Sequence, residues 1–174
     1  MRLELANCVV REWNRDDKAS LVRMANNRNV WRNLTDRFPH PYTESDADDW
    51  LSLVSQLSEP THWAIEVDRE ACGSIGIIAG EGMHVRTALF GYWLGESLWG
   101  RGIMTTAAKS VSRYALDHFK LHRLEAPVFA WNPASMRVLE KAGFTREGIL
   151  RRNAIKDGQV IDSVLYALTD KDVG

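Results

Sequence analysis

Gly100, Arg101 and Gly102 are the residues whose type and spacing best suit chemistry in this chain of 174 residues. They follow an aromatic-rich apolar stretch over residues 88–94 and precede an apolar-periodic stretch that begins near Ile103 and Met104. The pattern predicts a strand end, a short loop, and a helix start without an early acid. The first amides of a helix lack intrahelical acceptors and carry a partial positive charge. Glycines beside them let an anion come close to the backbone. The segment therefore reads as an anion cradle, best suited to a pyrophosphate. It is not a Walker loop, because no Gly-Lys-Ser/Thr follows, and it lacks the Gly-x-Gly-x-x-Gly of a Rossmann turn. The same spacing also fits a plain strand-to-helix turn.

Other chemistry-bearing residues are scattered. Asn132 and Ser135 sit three apart across a helix start, with Pro133 at its first turn, which makes Asn132 an N-cap. Trp31, Arg32, Asp36, Phe38, His40 and Tyr42 mix aromatics with charge along a loop, as recognition loops do. His40, between two prolines, is expected as a turn residue. Glu66, Glu81, Glu96 and Asp162 read as surface or capping carboxylates. Cys8 and Cys72 match no metal spacing and are expected as small core residues of a protein in a reducing cytosol. No activated Cys and no Ser–His pair is visible, so no covalent intermediate is expected.

These residues need elements to hold them. A short strand over residues 9–13 leads to a modest helix carrying Leu21, Val22, Met24 and Ala25, which the Asn-rich residues 26–29 stop. Residues 31–42 form a loop. A second helix carries Ala47, Trp50, Leu51, Val54 and Leu57 at helical spacing. Strands follow over residues 62–67, with Trp63, Ile65 and Val67 on one face, then over 72–79 and 88–94. Gly73 and Gly76 within the second of these point to a bulge or a close backbone contact. Met104, Ala107, Ala108, Val111, Ala115 and His118 mark the apolar face of a long helix. A strand over 122–129 and a helix closed by Gly143 come next. Strands over 144–151 and 160–168 end the chain, joined through the hairpin pair Asp157-Gly158.

The length fits one domain, residues 1–174. A formal charge of −1 gives no reason to expect nucleic acid or an anionic membrane as partner. No apolar run is long enough to span a bilayer, and charges break up the N-terminal apolar residues, unlike a secretion signal. A cytoplasmic protein is expected.

Several segments occur in one order: Gly91-Tyr-Trp-Leu-Gly, Trp99-Gly-Arg-Gly-Ile-Met-Thr-Thr-Ala, His122-Arg-Leu-Glu, Asn132-Pro-Ala-Ser, Leu139-Glu-Lys-Ala-Gly-Phe and Glu147-Gly-Ile-Leu-Arg. The series resembles the GNAT superfamily of N-acetyltransferases, in its RimJ/RimL-type branch. The resemblance is strong over residues 75–168 and looser before, where Phe38-Pro-His-Pro-Tyr-Thr is similar to a segment common in that branch. It implies an α/β (α+β) fold. One mixed, mostly antiparallel sheet would carry a splayed central parallel pair, with helices on both faces. It implies acetyl-CoA as cosubstrate and a primary amine as acceptor, first a protein or peptide N-terminus, then an amino acid, polyamine or aminoglycoside. A monomer or homodimer is expected.

The resemblance also distributes roles. The backbone of Gly100, Arg101, Gly102, Ile103, Met104 and Thr105 would meet the pyrophosphate, with a hydroxyl from Thr105 or Thr106. Tyr92, Trp93 and Leu94 would pair with the pantetheine arm, and an N–H near Leu94 would donate to the thioester carbonyl. One such preorganised donor is worth roughly 10²–10³ in rate. Asn132 would contact the cofactor, and Ser135 would hydrogen-bond the departing thiolate, since Leu139 stands where other branches place a Tyr. The residue types of the loop, rather than the resemblance, make Trp31, Asp36, Phe38 and Tyr42 the expected wall of the acceptor site, where Asp36, if it lines the site, would favour a cationic acceptor. The chain departs from the pattern at Trp99 and Met104. It also has Leu89 and Pro127 where relatives carry acids, so no general base is named. That gap motivates the alternative, a non-catalytic acyl-CoA-binding sensor.

Overall fold

The computed structural model describes residues 1–173. Its helical start is set by Asn14, whose side chain accepts from the Asp16 amide while Asp17 reaches back to the Asn14 amide at 2.9 Å. This reciprocal cap launches a single 3-10 turn and then helix α1, Lys18–Ala25. Thr43 and Asp46 make the same box for helix α3, Glu44–Ser55. Between them lies a one-turn helix α2, Arg28–Trp31, capped by Asn27. The Asn-rich stretch expected only to stop a helix thus also starts one.

Contacts group the chain into two compact units, residues 1–76 with 92–107, and residues 77–91 with residues from 108 onward. In the first, strands β1, Arg2–Glu4, and β2, Val9–Arg11, pair antiparallel. The first strand expected, over 9–13, is β2, and β1 precedes it unannounced, because three residues alternate too briefly to register. Strand β3, His62–Val67, pairs with β2 and with β4, Glu70–Ala79. Trp63, Ala64 and Ile65 are all fully buried, so the one-faced alternation expected there gives way to cover on both faces. Leu21, Ala25, Tyr42, Ala47 and Leu51 form a core cluster, with Trp13, Val22, Phe38, Trp50 and Trp93 packed against it. Arg11 ties the unit together through Asp17, at 2.7 and 2.8 Å, and Glu66.

The second unit holds the start of strand β5, Thr87–Leu94, and most of helix α4, Ile103–His118. It also holds strand β6, Arg123–Phe129, helix α5, Pro133–Ala142, and strands β7, Thr145–Lys156, and β8, Gln159–Thr169. Both hairpin residues, Asp157 and Gly158, have positive φ, as a type I′ turn requires. Strand β7 runs past the expected end at residue 151, with register shifts at Arg146/Gly148 and at Leu150/Ala154 that break its alternation. His118, expected on the buried face of α4, is exposed, while Ile103, Ser112 and Leu116 widen that face.

The sheet has eight strands in the order β1-β2-β3-β4-β5-β6-β8-β7. Among the described residues the strands pair antiparallel, except β5 with β6. Among the described residues, that parallel ladder has three pairs, Thr87–Arg123, Ala88–Leu124 and Leu89–Glu125. Strand β6 continues with β8 through Phe129 and Ser163.

Candidate active site

The loop that follows β5 is built by glycines at forced positions. Gly100 and Gly102 both have φ of 76°, the left-handed region that side chains resist. A Cβ on Gly100 would meet nothing within 4 Å, and one on Gly102 only Asn7 Nδ2 at 3.9 Å. The glycines therefore serve backbone shape and openness rather than packing. Asn7 Nδ2 donates to the Arg101 carbonyl at 3.4 Å. Ile103 and Met104 are buried, so the bulk of Met104 goes into the core. The Thr106 hydroxyl donates back to the Gly102 carbonyl at 3.2 Å. Thr105 remains the half-buried hydroxyl of the first turn.

The strand before the loop is fixed as firmly. Gly95 N–H donates to the Cys72 carbonyl at 2.8 Å, and Gly80 N–H to the Thr87 carbonyl at 2.8 Å, so β4 and β5 run antiparallel. Successive strand residues turn their amides to opposite sides. Tyr92 and Leu94 therefore turn their N–H and C=O groups away from β4. A Cβ on Gly73 would stand 2.4 Å from the Trp93 carbonyl oxygen. The strand glycine thus marks a close backbone approach, one of the two alternatives its position offered. Beyond Leu89, five residues of β5 extend past the ladder with β6.

Phe38 lies 5.5 Å from Trp93 and 5.0 Å from Tyr42, ring centre to ring centre. Trp31 lies 5.6 Å from His40, which precedes a cis proline. Asp36 is exposed, while Tyr42 is buried in the helical core, which pushes its phenol up, helped by Asp46 and Asp49. In the second unit, Asn132 Oδ1 accepts from the Ser135 amide at 3.1 Å, and Gly143 closes α5 in the left-handed region. Ser135 is half-buried.

A sequence profile for the acetyltransferase (GNAT) domain matches residues 7–145. A probable N-acetyltransferase of Bacillus subtilis, YjcK, is 47% identical over 140 residues, covering 72% of this chain and 77% of its own. The chain belongs to the GNAT family of acetyltransferases. The ribosomal protein uS5 alanine N-acetyltransferase of Escherichia coli is 35% identical over 82 residues, 47% of this chain and 42% of its own. Mycobacterium smegmatis RimJ, solved with a CoA-disulfide, superposes with a TM-score of 0.84 at 27% identity, covering 99% of this chain and 88% of that one.

This GNAT enzyme is an N-acetyltransferase that uses acetyl-CoA. The chain brings Tyr92, Trp93, Leu94, Gly100, Arg101, Gly102, Ile103, Met104 and Thr105 into one strand–loop–helix segment, with Phe38 against it. Asn132 and Ser135 are joined by their cap. Three of the four candidate carboxylates are engaged elsewhere. Glu66 is bound to Arg11, Glu96 accepts from Asn27 Nδ2 at 2.7 Å and Asn29 Nδ2 at 2.8 Å, and Asp162 accepts from the Arg152 amide at 2.7 Å. Glu81 precedes a 3-10 turn without capping it. Sequence reasoning missed Asn7, Asn27, Asn29, and the indole of Trp99, which donates to the Leu94 carbonyl at 2.7 Å. The partners of Asn7 and Asn27 are far away in sequence, so spacing carries no trace of them.

Proposed function

We propose that this acetyltransferase acts on the N-terminal amine of a protein or peptide. Amino acids, polyamines and aminoglycosides rank after it. The similarity to the uS5 alanine N-acetyltransferase supports a peptide acceptor. The observation that carries the site is the pair of open, left-handed glycines placed between the unladdered end of β5 and the start of α4. Gly100 to Thr105 would hold the pyrophosphate with main-chain amides, while Tyr92, Trp93 and Leu94 would line the pantetheine arm. Asn132 would contact the cofactor and Ser135 would receive the thiolate. Trp31, Asp36 and Phe38 would face the acceptor, with Tyr42 supporting Phe38 from the core.

An α-amino group has a pKa of about 7.7–8.0, so roughly a tenth is neutral at pH 7 without a base. That lessens the need for the carboxylate the sequence does not provide. Residues 1–174 would act as one functional unit, working in the cytoplasm as a monomer or homodimer without nucleic acid. Among the described residues no helix is long and apolar enough to cross a membrane. The test is a mass-shift assay with acetyl-CoA on a mixed library of peptides and small amines. Acetylation confined to peptide N-termini is expected. Acetylation of polyamines alone would overturn the acceptor. Binding of CoA without turnover on any amine would favour a sensor.

A further inference from the structure

We propose that Trp99 is a positioning residue for acetyl transfer. Its indole N–H holds the Leu94 carbonyl and thereby fixes the direction of the Leu94 amide. The proposal rests on the acetyl-CoA reading of the site.

Three bonds converge where β5 ends. Gly95 N–H donates to the Cys72 carbonyl at 2.8 Å, Leu98 N–H to the Gly95 carbonyl at 3.0 Å, and Trp99 Nε1 to the Leu94 carbonyl at 2.7 Å. The first ties Gly95 to β4, so the Leu94 carbonyl points away from β4 and depends on another donor. Trp99 supplies it. The peptide before Leu94 is fixed from the other side, because its carbonyl lies over Gly73, where a Cβ would come within 2.4 Å. Both peptides that flank the Leu94 Cα are then held, and the Leu94 N–H has little freedom left.

The exposure of Trp99 agrees. The residue is 45% exposed, so packing is a poor explanation for so large a ring at this place. Its backbone is anchored as well. Trp99 N–H donates to the Glu96 carbonyl at 3.1 Å, and the Glu96 carboxylate is clasped by Asn27 and Asn29. The indole therefore stands on a braced turn.

In the reaction the amine lone pair forms the new C–N bond while the carbonyl π pair moves onto oxygen. That pair returns as the C–S bond breaks, the nitrogen loses a proton, and the thiolate gains one. The Leu94 amide serves the oxygen while it carries charge. A donor displaced by about 1 Å forfeits much of a contribution of roughly 10²–10³.

Trp99→Phe keeps a ring and removes the N–H, and Trp99→Gln returns an N–H donor. The measurements are the carbonyl stretch of bound, carbonyl-labelled acetyl-CoA by difference infrared spectroscopy, acetyl-CoA affinity by calorimetry, and kcat on an alanine-initiated peptide. Trp99→Phe should move the stretch back toward its free value and lower kcat by about tenfold or more. Affinity should stay within about threefold. Trp99→Gln should keep part of the stretch shift. A wild-type stretch and kcat in Trp99→Phe would overturn the proposal, as would equal losses of the stretch shift in both variants. A fall in affinity with the stretch unchanged would also overturn it and make Trp99 a merely structural residue. Absence of acetyl-CoA binding by the wild-type protein would instead sink the underlying site reading.

Discussion

Ser135 is the residue whose chemistry the proposed reaction tests most directly. Its amide is engaged by Asn132, and in the proposed reaction its hydroxyl would receive the departing thiolate. A thiol pKa of about 8.5 makes that leaving group undemanding. Ser135→Ala should lower kcat by about 100-fold, the low end for a proton-handling group. A change below about threefold, measured by thiol release, removes Ser135 from the reaction. That assay has a quiet background. Cys8 and Cys72 are buried, and burial pushes the Cys8 thiol up to about 11 and the Cys72 thiol up as well. Native protein should show no thiol reactive to a disulfide reagent within the assay time, and two once denatured. Rapid labelling of the native protein would contradict the burial. Asn132 and Ser135 were legible as a cap from Asn-Pro-x-Ser alone. Trp99 was legible only as an oddity, because its bond is to a main-chain oxygen that no side-chain pattern reveals.

At the scale of the element, the loop between β5 and α4 depends on two left-handed residues. An alanine at such a position costs about 1–2 kcal/mol, wherever in the molecule it lies. Gly82 supplies the control, since it also has positive φ and open space around it, in the turn after β4. Gly102→Ala and Gly82→Ala should lower stability in urea by similar amounts. Only Gly102→Ala should weaken CoA binding, by about tenfold, as a Cβ intrudes where a phosphate would sit. Equal affinities in the two variants would show that the loop is a turn and nothing more. The glycines, the strand before them and the helix after them were all plain in the sequence, because local periodicity and backbone permissiveness are local properties. The extent of β7 was not. Two register shifts hide its alternation, and β8 is what extends it.

For the whole molecule a half-buried histidine sets a pH dependence. His62 lies at the start of β3, with its ring 5.3 Å from Trp50 and its Nδ1 3.0 Å from the Thr61 hydroxyl. Burial lowers its pKa below the ordinary 6.5. The unfolded chain thus takes up a proton near that value while the folded chain does not. The stabilisation is complete above about 6.5 and is lost as pH falls from there through the folded value. The melting temperature should decline over that window, and His62→Gln should flatten the decline. An unchanged profile in the variant would assign the decline to other groups.

The sequence alone determined most element types, though not β1 or α2, and, through its motif order, the GNAT family, because helix caps, strand alternation and glycine turns act over a few residues. It also located the glycine loop between β5 and α4. Tertiary structure decided what that loop leans on. Asn7, Asn27 and Asn29 reach it or its turn across dozens of residues of chain, and the Leu94 carbonyl meets an indole. Such contacts arise only when folding brings distant backbone and side chains within hydrogen-bonding reach, and no local pattern encodes that distance.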